Sequence, residues 1–246
     1  GRGAKNSGFY DAATGDFEDT TSMLGFTGEA KSKEIAWGKI DAAKGTGDYH
    51  TKRLTGNDTA TAHVVVKADG DGFLITPSGL PYDTLAPDDI PRMTPDGSHA
   101  GRRKPSSEWR LHRDLYATRP EVGAVLHAHS PFAVSLACLR RDIPPFHYMI
   151  ARFGGDTVRC AEYAIFGSAG LSAAAMQAMA GRTGCLLANH GLLVAGRDLA
   201  EALALAVELE DLCEQYWRAC QLGQPVLLTA GEMRAVLEQF RGYGQQ

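Results

Sequence analysis

The chain has 246 residues, 44% of them hydrophobic, and a formal net charge of −4 at pH 7. That length suffices for one domain with a sizeable core. Mild acidity without a basic stripe argues against a nucleic-acid partner, and no apolar run reaches the roughly eighteen residues of a membrane span. Cys138, Cys160, Cys185, Cys213 and Cys220 are scattered, form no CxxC pair and read as reduced core residues. No signal-peptide pattern opens the chain, so the expected location is cytoplasmic.

Residues 1–67 stand apart as an atypical N-terminal segment of uncertain structure, expected to form one domain with a core over 68–246. Gly, Thr, Asp and Lys dominate there. The best helix candidate, 34–43, is interrupted by a glycine. Residues 63–66 suit a strand, and DGDG at 69–72 suits the turn into a second strand at 73–76. TPSG at 76–79 follows as a glycine turn, serving either as a plain connection or as a source of N–H groups for an anion. PDGS at 95–98 reads as a surface hairpin turn.

A helix is expected over 107–119, with Ser106 or Ser107 as N-cap, Leu111 and Leu115 on its core side and Pro120 ending it. Its first turn offers free N–H groups beside two hydroxyls, a natural phosphate cradle. Glu108 alone reads as a carboxylate favoured by the helix dipole. His112 reads as an ordinary helix-face histidine.

VGAVLHAHS at 122–130 reads as a buried strand ending in His127 and His129. Residues two apart share a strand face, so one atom could touch both imidazoles. Such a pair serves equally well as two rings bonded to nearby backbone, so a metal reading needs partners. His190 supplies one, held in a tight turn between the apolar runs 185–188 and 192–195. Three imidazoles with an open fourth position are the ligand set of a catalytic zinc, and Glu108 is then a candidate fourth ligand or general base.

Further on, a strand is expected at 158–161 and a small-residue helix at 171–180. DLAE at 198–201 opens a long helix with Leu205, Leu209, Leu212, Tyr216 and Cys220 as its core stripe and Gly223 as its end. TAGE at 229–232 caps a last helix reaching Phe240. Strands and helices alternate without a βαβ rhythm. The fold class is therefore α/β, a mostly antiparallel central sheet flanked by helices.

The runs LITPSGLPY (74–82), PSSEWR (105–110), HAH (127–129), IPPFHYMI (143–150), Gly154-Gly155 and NHGL (189–192), in this order and almost without gaps, resemble the class II aldolase/adducin family. The best match is its L-fuculose-1-phosphate aldolase branch. The resemblance implies a three-layer fold and one Zn²⁺ per chain on His127, His129 and His190. Glu108 is implied as ligand in the empty site and as base once substrate binds. It implies that Ser78, Gly79, Ser106 and Ser107 bind the substrate's phosphate. Asn57 belongs to that set only by its Gly-Asn pair, since the family's following Ser-x-Arg is missing. Tyr148 matches a tyrosine that protonates the aldehyde oxygen from a neighbouring subunit, and Phe166, Phe240 and Tyr243 match residues at the aldehyde end.

The implied activity is reversible cleavage of a ketose 1-phosphate, similar to L-fuculose 1-phosphate, to dihydroxyacetone phosphate and a short aldehyde. A homotetramer with its active site at a subunit interface comes with it. Breaking a carbon–carbon bond beside a carbonyl leaves negative charge on carbon, and a zinc can stabilise that charge as a Lewis acid. A sugar-phosphate epimerase and a methylthioribulose-1-phosphate dehydratase share the fold. An adducin-like scaffold is the non-catalytic alternative, and that branch lacks the three histidines.

Overall fold

The computed structural model of the chain describes residues 62–67, 72–80 and 85–242. Eight strands among them form one sheet: β1 (Ala62–Lys67), β2 (Phe73–Ile75), β3 (Arg92–Met93), β4 (His99–Ala100), β5 (Ala124–Ala128), β6 (Cys160–Ala161), β7 (Gly184–Leu187) and β8 (Gly191–Gly196). Their order is β4-β3-β2-β1-β5-β8-β7-β6. Every neighbouring pair is antiparallel except β6–β7. The helices are α1 (Trp109–Thr118), α2 (Pro131–Ala137), α3 (Ala169–Met179), α4 (Leu199–Leu222) and α5 (Ala230–Gly242), with 3₁₀ turns at Pro87–Asp89 and Tyr148–Phe153. This is the expected α/β architecture with a mostly antiparallel sheet.

Side-chain alternation along β5 explains the layers. Ala124, Leu126 and Ala128 join Leu192 and Val194 of β8 in a core closed by α2, α4, Ile150 and Phe153. Val125 goes the other way, with Leu193 and Ala195, into a core closed by Leu111 and Leu115 of α1 and Leu171, Ala175 and Met179 of α3. Both faces are covered, so every residue of β5, β7 and β8 is buried. That is why these runs, His127 apart, are apolar rather than alternating. Each such Leu contributes about 1.5–3 kcal/mol by leaving water.

Several boundaries differ from expectation. α1 starts at Trp109, because Pro105 bridges to Pro77 and the Ser106 N–H donates to the Thr76 carbonyl at 3.1 Å, so that Ser107 and Glu108 form a turn before the helix begins. The strand expected at 158–161 is only Cys160–Ala161, since Val158 bridges to Ile143 instead. Cys220 is exposed and leaves the stripe: α4 has 24 residues, about 36 Å, and outruns the sheet. Cys138 is exposed as well, whereas Cys185 and Cys213 are core residues. His112 is fully buried rather than on an open helix face, since it lies beside Leu111 and Leu115 on the inward side of α1.

Capping follows the sequence closely. The Asp198 carboxylate accepts the Glu201 N–H at 2.8 Å, and Thr229 and Glu232 exchange bonds of 2.7 and 3.2 Å at the start of α5. The expected helix at 34–43 lies outside the described residues, as does most of the expected turn at 69–72. Among the described residues no helix is long and apolar enough to cross a membrane.

Candidate metal centre

Three segments meet at one end of the central strands: the start of α1, the end of β5 and the turn from β7 to β8. His127 has the parity of Val125, so its ring points to the α1 side of the sheet. It is fully buried, and its Nδ1–H donates to the Leu192 carbonyl of β8 at 2.8 Å. In the neutral ring that bond leaves Nε2 as a lone pair. Nε2 lies 2.9 Å from His129 Nε2 and 3.0 Å from Glu108 Oε2. His190 Nε2 is 3.4 Å from Glu108 Oε1. The three imidazole centroids are 4.7–4.8 Å apart, almost an equilateral triangle.

Local sequence explains how each side chain arrives. His190 follows Asn189, whose φ of 53° is left-handed, a conformation that asparagine tolerates better than most residues. The Asn189 N–H donates to the Ala137 carbonyl at 3.1 Å, and its Oδ1 accepts from Arg140 Nε at 2.6 Å. Gly191 comes next because a Cβ there would stand 2.2 Å from the Ala128 carbonyl oxygen and 3.1 Å from the His129 ring. Glu108, 3% exposed, precedes α1, and its N–H donates to Ser106 Oγ at 3.2 Å.

The donor set fits a metal ion. All four ligand atoms lie within 4.8 Å of one another. A tetrahedral zinc about 2.0–2.1 Å from each donor spaces them by about 3.3 Å, and the close pairs here span 2.9–3.4 Å. Two imidazole lone pairs and a carboxylate oxygen this close repel unless a proton or a cation lies between them. Burial disfavours the His127 imidazolium most strongly. The Glu108 charge and hydrogen bond, with the Leu192 carbonyl, together outweigh burial and raise its pKa above the ordinary histidine value. The pocket is built to hold positive charge.

The two serine motifs are brought side by side. Besides the Pro77–Pro105 bridge, the Ser78 N–H donates to the Lys104 carbonyl at 3.1 Å. Ser78 therefore offers an anion its hydroxyl rather than its amide. Ser106 is fully buried, while Ser107, Ser78 and Gly79 are exposed, Gly79 with φ of 71°. Arg110 donates to the Gly167 carbonyl at 3.0 Å, and a Cβ on Gly167 would stand 2.9 Å from the Ser107 carbonyl. These contacts bring the loop of Phe166, itself 68% exposed, to the serines.

Tyr148 and Phe240 come together elsewhere. With Met149, Arg152 and Val236 they line an open cavity of about 660 Å³ to which none of the four metal-site residues contributes. Asn57 and Tyr243 lie outside the described residues. Sequence reasoning passed over Arg140, which steadies Asn189, and Glu210 on α4, which is 3% exposed. The available signal for Glu210 was its place in the row Ala202, Ala206, Glu210, one residue every helical turn on an inward face.

Comparison with known proteins agrees with this geometry. The family described as Class II Aldolase and Adducin N-terminal domain matches residues 49–217. The 5-methylthioribulose-1-phosphate/5-deoxyribulose-1-phosphate aldolase of Rhodospirillum rubrum is 51% identical over 207 residues, 84% of this chain and 91% of that protein. The L-fuculose phosphate aldolase of Escherichia coli (strain K12) is 40% identical over 193 residues, covering 78% and 89%. Among solved structures, an L-fuculose 1-phosphate aldolase superposes with a TM-score of 0.71 at 39% identity, covering 74% of this chain and 87% of that one.

Proposed function

The chain belongs to the class II aldolase/adducin family, and within it we propose a zinc-dependent aldolase for 5-deoxyribulose 1-phosphate or its 5-methylthio analogue. Its coarser activity, that of a metal-dependent class II sugar-phosphate aldolase, follows from the family and from the complete set Glu108, His127, His129 and His190. That convergence of four donors carries the reading. An adducin-like scaffold has no use for it.

For the substrate, the expected L-fuculose 1-phosphate gives way. Identity to the relative named for the deoxyribulose and methylthioribulose phosphates is 51%, against 40% to the one named for fuculose phosphate. These ketoses share the phosphate, the carbonyl and the carbon-3 hydroxyl, and differ at the aldehyde end. Fuculose phosphate yields a hydroxyaldehyde, whereas the deoxy and methylthio sugars yield aldehydes with apolar tails.

When bound on this set, zinc supplies a Lewis acid toward the carbonyl and hydroxyl oxygens of the ketose. Ser106 and Ser107, at the amide-rich start of α1, and Ser78 and Gly79, in the turn bridged to it, hold the phosphate. In the condensing direction Glu108 takes the proton from carbon 3 of dihydroxyacetone phosphate, and in cleavage it returns it. Tyr148 of a neighbouring subunit protonates the aldehyde oxygen on condensation and takes that proton back on cleavage. A homotetramer in the cytoplasm is the setting this reading implies.

The test is to follow dihydroxyacetone phosphate release from the three ketose phosphates by the zinc-loaded protein. A kcat/KM higher for the deoxy or methylthio sugar supports the assignment. Equal or faster cleavage of L-fuculose 1-phosphate returns the assignment to the fuculose branch.

A further inference from the structure

The turn that follows His129 is held from across the molecule. Ser130 is the N-cap residue of α2, yet its side chain makes no bond to that helix. Glu210 of α4 caps it instead. Its Oε2 accepts the Ser130 hydroxyl at 2.7 Å and the Ala133 N–H at 2.8 Å, and its Oε1 accepts the Phe132 N–H at 2.9 Å. Pro131 has no N–H, and the Val134 N–H already bonds the Ser130 carbonyl at 2.9 Å. One carboxylate thus satisfies both N–H groups that the first turn of α2 leaves over. A serine side chain could cap this helix locally. A buried carboxylate is costly and is tolerated where it is fully bonded, as here.

What the remote cap adds is a fixed chain on both sides of His129. On one side the β5–β8 ladder, ending at Ala128 opposite Leu192, fixes the backbone. On the other side Glu210 fixes Ser130 to Ala133. His129 itself lies past the last strand residue and is only partly buried, so the chain that carries it is set by the ladder before it and the turn after it.

We propose that Glu210 is a positioning residue for His129: by clamping the turn at 130–133 it aims the imidazole at His127, Glu108 and His190, and so sets the affinity for the metal. The proposal rests on the reading of those four residues as the metal site.

The test is titration of the metal-free full chain with Co²⁺, reading the visible absorption bands and, by chelator competition, the dissociation constant. Thermal unfolding of the same metal-free samples is measured in parallel. In Glu210→Gln the amide keeps the size but must turn an N–H toward one of the three donors. Affinity should fall by about tenfold or more, the scale of losing a group that orients a ligand, and the Co²⁺ bands should shift or change intensity. Thr229→Ala, which opens the cap of α5 far along the chain, should lower the unfolding temperature and leave affinity and bands unchanged. If Glu210→Gln does not fold, Ser130→Ala decides: it removes one of the three bonds and should show the same spectral change with a smaller affinity loss. Wild-type affinity and bands in the deciding variant overturn the proposal. A wild-type chain that takes up no Co²⁺ overturns the metal-site reading, and this proposal with it.

Discussion

Glu108 Oε2 stands 3.0 Å from His127 Nε2 on a carboxylate that is 3% exposed. A buried carboxylate at the start of a helix gains from the free N–H groups there, by about 0.3–1 kcal/mol for the dipole term. That gain is small beside the cost of removing an anion from water. The imidazoles, and a cation shared with them, are what make the position tenable.

The first prediction follows from that pair. Glu108→Gln keeps the three imidazoles, so much of the metal should stay bound. Glutamine cannot accept the proton from carbon 3, and general-base catalysis is worth about 10²–10⁴ in rate. Metal content should therefore survive, while cleavage and the exchange of the carbon-3 proton of dihydroxyacetone phosphate both fall by orders of magnitude. Near-normal exchange with metal bound would assign the base to another group.

Gly191→Ala should damage fold and site together. The new Cβ would meet the Ala128 carbonyl oxygen at 2.2 Å, and that oxygen belongs to the backbone of a central strand. Relief requires β8 to move off β5 beside His129. The expected loss is about 1–3 kcal/mol from overpacking, with weaker metal retention. Urea unfolding and metal analysis measure the two effects. Wild-type values for both would mean that the strands part there without strain.

Asp89 gives a pH signature. Its carboxylate is 4% exposed, accepts from Arg103 Nε at 2.7 Å and from the Ala86 N–H at 3.0 Å, and pairs with Arg102 at 2.7 Å. The Arg103 hydrogen bond is the main cause of a pKa below the usual 3.8; burial opposes it, and Ala86 and Arg102 add to it. With the folded value below the unfolded one, Asp89 stabilises the fold above pH 3.8, and that contribution is lost as pH falls through the depressed folded value. The stability gap between wild type and Asp89→Asn should thus be widest near neutrality and narrow progressively as pH falls below 3.8. A gap independent of pH in urea titrations would show that the charge contributes nothing. Because Arg103 leads into Lys104 and Ser106, the variant should also raise KM for the sugar phosphate.

What was legible in the sequence was whatever one segment determines by itself. The parity of His127 and His129, the turn around His190 and the caps at Asp198 and Thr229 depend on neighbours within a few residues, and each is found where the pattern puts it. The late start of α1 was not legible, because it depends on Pro77 bridging to Pro105 from another part of the chain. Burial of His112 and exposure of Cys220 depend on which helix face meets the sheet and where the sheet ends. Glu210 is the hardest case. An acidic residue on a long helix is ordinarily a solvated one; its row with Ala202 and Ala206 hints at burial, but its role depends on Ser130, Phe132 and Ala133, nearly eighty residues earlier.

The last prediction concerns Tyr148. It is 51% exposed and lines a cavity with Phe240 to which the metal-site residues do not contribute. A tyrosine that serves its own chain's metal would be expected among those residues. One that serves a neighbouring subunit would be expected on an exposed rim, as Tyr148 is. Tyr148→Phe removes the phenolic proton, and His129→Ala removes a metal ligand, so each homo-oligomer should be inactive or nearly so. In mixed oligomers, a metal site from a Tyr148→Phe chain can meet an intact tyrosine from a His129→Ala chain. Co-refolding the two variants should therefore restore part of the wild-type cleavage rate, in proportion to the number of mixed interfaces. Verified mixed oligomers without recovery would place both groups of each active site on a single chain.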